Sequence, residues 1–209
     1  MKARGLIKTA EVERALLTIR REEFLPKELK GEAYLDCPLP LFDTGQTISA
    51  PHMVAIMVES LDLKGCPRVL EVGAGSGYAA CVMAEVINPT DGELKCPKVQ
   101  SIEIDPFLVK FARANVRSTG YDNRVDIIEG DGALGLPEMA PFDRIMVSAA
   151  APSVPQALVD QLSEGGRMLV PIGTNIWGQR LYSIKKLGNE QKKEFLLDVA
   201  FVPLRRYGR

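Results

Sequence analysis

The fold is decided by the stretch VLEVGAGSGY, residues 69–78, in which a short apolar run leads into a turn with glycine at every second position. Gly73, Gly75 and Gly77 let the backbone take unusual angles and approach a ligand closely. The helix expected to begin after this turn offers free backbone N–H groups to a ligand. A glycine pattern also suits plain tight packing, so on its own this stretch leaves both interpretations open.

The chain around this turn alternates between strand-like and helix-like runs. Strands are predicted at residues 68–72, 99–102, 125–128, 144–147 and 167–170, and helices at 78–87, 107–117 and 154–162. Apolar strands separated by crossover helices indicate a mostly parallel sheet with helices on both faces. The predicted class is therefore α/β with a Rossmann-like arrangement.

The two ends of the chain differ from this core. Thr9 can cap a helix with Val12, Leu16 and Ile19 at helical spacing, and a second helix is expected to begin near Pro51. The stretch between them, residues 32–47, has the composition of a loop. The tail predicts two antiparallel strands, 180–186 and 195–202, joined by the polar stretch 186–194.

We therefore predict a single domain over residues 1–209, with three parts. Residues 1–66 form the N-terminal helical extension with its loop, 67–173 the core around the glycine turn, and 174–209 the C-terminal antiparallel strands. One domain is the better expectation because domains commonly take roughly 100 to 200 residues.

Composition excludes several classes of function. With 26 basic and 27 acidic residues the formal net charge is -1, which gives no global field to hold nucleic acid. No apolar run reaches the ~20 residues needed to span a membrane. The four cysteines are scattered, and we expect neither a metal site nor a disulfide framework, hence a reducing, cytoplasmic location.

Acidic residues follow three successive predicted strands. The spacing G-x-G-x-G differs from the dinucleotide fingerprint, and Glu71 would repel a pyrophosphate there. Glu71 suits instead the cationic amino-acid end of S-adenosylmethionine, although it could pair with a basic residue at the surface. Glu103 fits two ribose hydroxyls. Asp131, before Gly132, can accept from an adenine amino group, although Asp-Gly is also a common structural turn.

Other segments resemble a known family. They are GQTISAPHM at 45–53, preceded by Tyr34, Asp36 and the run PLP at 38–40, then VSAAAP at 147–152 and FVPL at 201–204. In these segments the chain is similar to the protein-L-isoaspartate O-methyltransferase family, from about residue 34 to residue 204. The family often has glycine at two positions where this chain has Phe42 and Ser148.

The resemblance implies a methyltransferase fold, S-adenosylmethionine as cofactor, and repair of damaged proteins by esterification of L-isoaspartyl carboxylates; whether D-aspartyl residues are also accepted stays open. It implies that cofactor contacts come from Gln46, Thr47, Ile48, Ser49, Glu71, Gly73, Gly75, Gly77, Glu103, Asp131 and Gly132. Ser49 is the implied catalytic hydroxyl, beside the methyl group. A peptide groove is implied at Ala149, Ala150, Pro152, Val202, Pro203 and Leu204, whose alternative is ordinary sheet-edge packing.

The same residues also indicate the partners of the protein and the alternative functions that have to be considered. We expect a monomer that acts on isoaspartyl proteins and peptides, with no nucleic acid or membrane partner. His52, the only histidine, is expected to order the loop rather than to catalyse. The rivals are a methyltransferase with another acceptor and a non-catalytic nucleoside-binding protein. Residues 45–53 argue against the first, and Ser49 with the carboxylates argues against the second.

Overall fold

A central sheet of seven strands forms the body of the protein, seen in a computed structural model that describes residues 1, 3, 5–174, 178–188 and 190–208. Strands β1 (Leu39–Pro40) and β2 (Thr47–Ile48) lie outside this sheet, which consists of β3 (Val69–Val72), β4 (Val99–Glu103), β5 (Val125–Glu129), β6 (Phe142–Val147), β7 (Leu162–Thr174), β8 (Gly178–Leu187) and β9 (Glu190–Val199). The helices are α1 (Ala10–Thr18), α2 (Pro51–Leu61), α3 (Tyr78–Ile87), α4 (Pro106–Ser118) and α5 (Gln156–Asp160).

The strand order is β5-β4-β3-β6-β7-β8-β9. The strands from β5 to β7 are parallel, and β8 and β9 add an antiparallel ribbon at one edge. The chain runs from β3 to β4 on one side and later to β6 on the other, so a crevice opens at the carboxyl end of β3, where such sheets bind ligands. The predicted α/β, Rossmann-like methyltransferase fold with C-terminal antiparallel strands is confirmed.

Two apolar cores cover the two faces of the sheet. Neighbouring residues of β3 point in opposite directions, with Val69 in one core and Leu70 in the other. The first core includes residues of α1 to α4, and the second includes Leu158 of α5. Helices therefore lie on both faces of the sheet, as predicted, with more of them on the face of the first core than on that of the second.

The N-terminal extension packs onto this body as the sequence indicates. The Thr9 hydroxyl caps α1 by accepting from the Val12 amide at 3.4 Å, and it donates to Glu59 of α2 at 2.9 Å. Pro51 begins α2. Within the stretch predicted as loop, β1 and β2 form a small antiparallel hairpin.

Some element boundaries differ from the sequence prediction. Helix α5 is shorter than the expected 154–162, because Pro155 precedes it and β7 already begins at Leu162. Strand β9 begins at Glu190, inside the stretch expected to connect the two tail strands, and ends before Val202. Strand β9 is exposed on both faces at its start, so its sequence lacks the apolar alternation that reveals a half-buried strand.

The expectation of no disulfide is wrong, because Cys66 and Cys96 are bonded to each other. The two residues are separated by 30 positions in sequence. Cys66 precedes β3 and Cys96 precedes β4, and these strands are parallel neighbours. Their amino ends therefore lie side by side, a proximity that cysteine spacing alone does not reveal. Cys37 and Cys81 are free thiols.

Candidate active site

Three connected depressions open at the carboxyl end of the sheet, and Thr47 and Ser148 line all of them. We call them the sheet crevice, the inner pocket and the outer groove. The sheet crevice is lined by residues that include Gln46, Gly73, Gly75, Glu103, Gly132, Ala149, Val202, Pro203, Leu204 and Arg205. The inner pocket includes Ile48, Ser49, Glu71, Gly73 and Gly75. The outer groove includes Pro38, Ser49, His52, Met53, Phe201 and Val202.

Glu71 is a buried carboxyl group on β3 that faces the inner pocket. The Ser101 hydroxyl donates to its Oε2 at 2.5 Å, and the Ser148 hydroxyl lies 3.5 Å from its Oε1. Burial raises the pKa of Glu71 to about 8, a rise that the charge of Glu103 increases and the two hydroxyls oppose. The alternative of a surface ion pair is therefore wrong. A buried carboxyl group held by two neutral hydroxyls suits a cationic ligand, which would favour its ionised form.

Glu103 ends the neighbouring strand β4 and is also buried. Its Oε2 accepts from the Gly75 amide at 2.8 Å, and its Oε1 accepts from the amides of Ile104 and Asp105 at 2.9 and 3.0 Å. Gly75 takes a left-handed conformation with φ +55°, which brings its amide toward this carboxylate. Glu103 thus links the glycine turn to the next strand.

The turn after β5 carries Asp131 and Gly132. Gly132 lines the sheet crevice, and a Cβ there would lie 2.5 Å from the Val72 side chain, so any larger residue forces Val72 or the turn to shift. Asp131 accepts from the amide of Ala133 at 2.9 Å and from that of Tyr207 at 3.3 Å. Asp131 is not among the residues that line the three depressions in the described part of the chain.

Gly77 also stands apart from the three depressions among the described residues. It precedes α3 with φ +85°, and a Cβ there would lie 3.1 Å from Val116 of α4. Its absent side chain therefore serves the close packing of α3 against α4.

The hairpin of β1 and β2 covers the crevice from above. Its turn closes when the Leu41 amide donates to the Gln46 carbonyl at 2.8 Å and the Thr44 hydroxyl donates to the Leu41 carbonyl at 2.6 Å. The Leu41 side chain is buried, and a Cβ on Gly75 would lie 3.4 Å from it. Gln46 and Thr47 are thereby held over the glycine turn.

The segment after β9 closes the remaining side. The Ala150 amide donates to the Val202 carbonyl and the Leu204 amide donates to the Ala150 carbonyl, both at 2.8 Å. This pairing brings together two of the stretches expected to bind peptide. Val202, Pro203 and Leu204 line the sheet crevice with Ala149, whereas Ala150 is buried behind it and Pro152 is exposed outside it.

His52 lies at the start of α2, on the wall of the outer groove. Its backbone amide donates to Asp36 Oδ1 at 3.0 Å, and its ring Nδ1 lies 2.7 Å from the same oxygen. This double contact ties the loop to the helix start and agrees with the expected ordering role.

Two residues of the site were missed from the sequence. Ser148 directly follows β6, the other parallel neighbour of β3, and the strand-end argument applied to Glu71 would have found it. Arg205, which follows the FVPL stretch directly, lines the sheet crevice and bridges to Asp105 at 3.2 Å. No cluster of three potential metal ligands and no helix long and apolar enough to cross a membrane occurs in the described ranges.

This fold and site define the class. A glycine turn and buried carboxyl groups at adjacent strand ends, beside a second groove for an acceptor, characterise an S-adenosylmethionine-dependent methyltransferase. Residues 1–207 match the family model described as protein-L-isoaspartate(D-aspartate) O-methyltransferase. The chain belongs to this family.

Individual relatives agree. Protein-L-isoaspartate O-methyltransferase from Korarchaeum cryptofilum is 47% identical over 98% of this chain and 94% of its own. The protein of the same name from Hyperthermus butylicus is 53% identical over 87% and 75%. A Plasmodium falciparum structure of this enzyme type, in complex with S-adenosyl-L-homocysteine, superposes with a TM-score of 0.85 at 32% identity, covering 98% of this chain and 94% of that one.

Proposed function

We infer that this enzyme transfers the methyl group of S-adenosylmethionine to the free carboxylate of L-isoaspartyl residues in damaged proteins and peptides. The products are a methyl ester and S-adenosylhomocysteine. One observation carries the assignment of roles: Ser49 lines both the inner pocket, where Glu71 lies, and the outer groove beside it. A donor in the first and an acceptor in the second would meet at this residue.

The cofactor roles follow from the donors that each residue offers. Glu71 would face the cationic groups, and its raised pKa fits that assignment because an adjacent cation restores the ionised form. Glu103 would accept from ribose hydroxyls. Asp131 would accept from the adenine amino group only after its carboxylate turns toward the sheet crevice, because its oxygens contact the amides of Ala133 and Tyr207 in this structure. Gly73 and Gly75 give the backbone room to approach, and Gln46, Thr47 and Ile48 cover the ligand.

The chemistry asks little of the protein beyond alignment. When bound, S-adenosylmethionine supplies an electrophilic methyl group on a positively charged sulfur. The acceptor carboxyl group has an ordinary pKa of about 4, so it is ionised at neutral pH and needs no general base. Ser49 would donate a hydrogen bond that orients this carboxylate. Well-oriented reactants gain on the order of 7 to 11 kcal/mol from proximity, and the covering hairpin would exclude water once the cofactor and the peptide are bound.

Substrate choice would arise in the outer groove and beside it. An extended peptide in the outer groove would contact Val202, and it would reach Ala149, Pro203 and Leu204 where the groove meets the sheet crevice; such backbone contacts tolerate many flanking sequences. Ala150 and Pro152 would not take part, because Ala150 is buried with its amide and carbonyl already paired, and Pro152 lies outside the crevice. In an isoaspartyl residue the main chain includes one more methylene group than in an aspartyl residue, so the free carboxylate occupies a different position relative to the backbone. Only one of the two would therefore reach Ser49.

The test is methyl transfer from labelled S-adenosylmethionine to peptides that are identical except for L-isoaspartate, L-aspartate or D-aspartate at one position. We expect labelling of the L-isoaspartyl peptide, weaker labelling of the D-aspartyl peptide, and none of the L-aspartyl peptide. Ser49→Ala should lower kcat about 100-fold. The matched control is Ser118→Ala at the exposed end of α4, which should leave kcat unchanged. Cofactor binding without labelling of any peptide would refute the assignment.

Three further expectations remain proposals. Residues 1–209 would form a single domain, supported by a first core that combines Val12 of α1 with Leu181 of β8. The protein would be monomeric, which light scattering tests. It would be cytoplasmic, where disulfides are rare outside hyperthermophiles. Cell fractionation with thiol trapping would therefore test both the location and the Cys66–Cys96 bond.

A further inference from the structure

Arg21 is a buried arginine beneath the active-site loop. It begins the short 3-10 helix Arg21–Phe24, and only 1% of it is exposed. Arginine is almost never fully buried unless its charge is used. Burial lowers the pKa of Arg21 below its usual value, yet an arginine side chain stays protonated in proteins. A permanent cation therefore lies inside the protein, next to the site.

The guanidinium donates to three backbone carbonyl oxygens. Nη1 donates to Ala33, and Nη2 donates to Cys37 at 3.3 Å and to Ser49 at 3.1 Å. These acceptors lie at the two ends of residues 33–49, the segment that carries the hairpin of β1 and β2 over the sheet crevice. One side chain thus ties both ends of the active-site loop to the N-terminal extension.

The contact with Ser49 has a direct geometric consequence. Ser49 immediately precedes Ala50, the N-cap of α2, and its carbonyl accepts from the guanidinium rather than from a helix or strand partner. Fixing this carbonyl fixes the peptide plane of Ser49. That plane constrains the Cα–Cβ bond of Ser49, and with it the region between the inner pocket and the outer groove that the hydroxyl can reach.

We propose that Arg21 is a positioning residue for methyl transfer, which holds the hydroxyl of Ser49 in place through the Ser49 carbonyl. The inference rests on the proposed role of Ser49. Arginine suits this task because its planar fork donates in several fixed directions, whereas lysine is a compact point charge with rotatable donors. Misplacing a reacting group by about 1 Å can cost on the order of 100-fold in rate.

The test is a double-mutant cycle on kcat for the L-isoaspartyl peptide, with wild type, Arg21→Met, Ser49→Ala and the double variant. The matched control is Arg124→Met. Arg124 is 8% exposed and donates to the Asn88 carbonyl at 3.0 Å, but it precedes β5 at the amino end of the sheet, away from the site. The affinity for S-adenosylhomocysteine and the melting temperature are measured for every variant.

We expect Arg21→Met to lower kcat roughly 10- to 100-fold in the wild-type background and less than about twofold in the Ser49→Ala background. The Kd for S-adenosylhomocysteine should change less than about threefold, because Glu71 and Glu103 stay on the sheet. Arg124→Met should lower the melting temperature and leave kcat unchanged. The proposal is overturned if Arg21→Met behaves like Arg124→Met, or if the losses from Arg21→Met and Ser49→Ala multiply.

Arg21→Lys provides the same test should the methionine variant fail to fold. It keeps the charge but not the three hydrogen bonds, and we expect a loss of kcat of roughly 3- to 10-fold that again disappears with Ser49→Ala. An unchanged kcat in Arg21→Lys, or an equal loss in both backgrounds, contradicts the proposal. Failure of the proposed function is distinct, because wild type would then not label the isoaspartyl peptide or Ser49→Ala would keep full activity.

Discussion

The two walls of the site are held in different ways. The sheet wall, formed by Glu71, Gly73, Gly75 and Glu103, belongs to parallel strands and the turn between β3 and α3. The loop wall, formed by residues 46–49 and 202–204, depends on single long-range contacts, such as that of Arg21 with Ser49 and that of Ala150 with Val202. Changes in the sheet wall should therefore alter the affinity for the cofactor. Changes in the loop wall should alter kcat and the rate at which S-adenosylhomocysteine is released.

The largest effect is expected from Glu71→Gln, which keeps the shape of the side chain but removes its charge. S-adenosylmethionine should bind about 100-fold more weakly, because a buried amide does not compensate a cation. Calorimetry measures this. Glu129→Gln at the exposed end of β5 is the matched control and should have no effect. Equal affinities for wild type and Glu71→Gln would remove the distinction between the two walls.

A pH dependence follows from the same carboxyl group. The pKa of Glu71 is raised to about 8 without ligand, and a bound cation lowers it, so binding releases a proton below pH 8. The affinity for S-adenosylmethionine should rise by up to about tenfold per pH unit until pH 8. Calorimetry in two buffers of different ionisation enthalpy measures the number of protons released on binding. In Glu71→Gln the affinity should not change with pH. A flat wild-type profile would contradict the neutral state of free Glu71.

The stability of the folded protein should depend on pH in the opposite sense to the cofactor affinity. The folded pKa of Glu71 lies above its ordinary 4.5, so its contribution to the free energy of unfolding is fully present below about pH 4.5 and is lost as pH rises through about 8. Glu71→Gln should therefore gain stability relative to wild type as pH rises through this window. Denaturant titrations at several pH values measure it.

A smaller effect is expected from Gly132→Ala, where the new Cβ would lie 2.5 Å from Val72. The turn after β5 must shift, which should cost about 1 to 3 kcal/mol of stability and lower cofactor affinity about tenfold (about 1.4 kcal/mol). Gly31→Ala is the control, since a Cβ there meets no atom within 4 Å. If both alanine variants bind the cofactor like wild type, the turn after β5 can shift without loss of affinity, and the sheet wall is not rigid at this turn.

The smallest effect is expected in the loop wall from Phe42→Ala. The Phe42 ring lies 4.9 and 5.0 Å from the rings of Phe107 and Phe111 on α4, contacts worth about 0.5 to 1.5 kcal/mol each. Losing them should speed release of S-adenosylhomocysteine about threefold in stopped flow. Phe42 has φ 57°, so Phe42→Gly would separate loss of the ring from relief of backbone strain.

The control for Phe42 is Phe195→Ala on β9, an exposed ring in edge-to-face contact with Tyr182 in the edge ribbon. It should leave the release rate unchanged. Equal release from both alanine variants would show that the aromatic contact with α4 does not hold the hairpin over the crevice.

Much of the sheet wall was predictable because its signals are local. An apolar run before alternating glycines specifies strand, turn and helix within ten residues, and α3 spans the predicted range. The glycines and Glu103 follow their strands directly, so the parallel topology alone brings them together. The limits of α5 near Pro155 and of β9 were less well predicted, because short helices and strands exposed on both faces have weak periodicity.

The sequence by itself determined the α/β class, the glycine turn and the strand-end positions of Glu71 and Glu103, because backbone preference and residue periodicity are properties of neighbouring residues. The tertiary structure alone decided the rest. It placed Ser148 beside Glu71 and raised the pKa of that carboxyl group by burial. It also joined Cys66 to Cys96 and Arg21 to Ser49. Distance between atoms and exclusion of water arise only when distant segments pack, and these set the chemistry of the site.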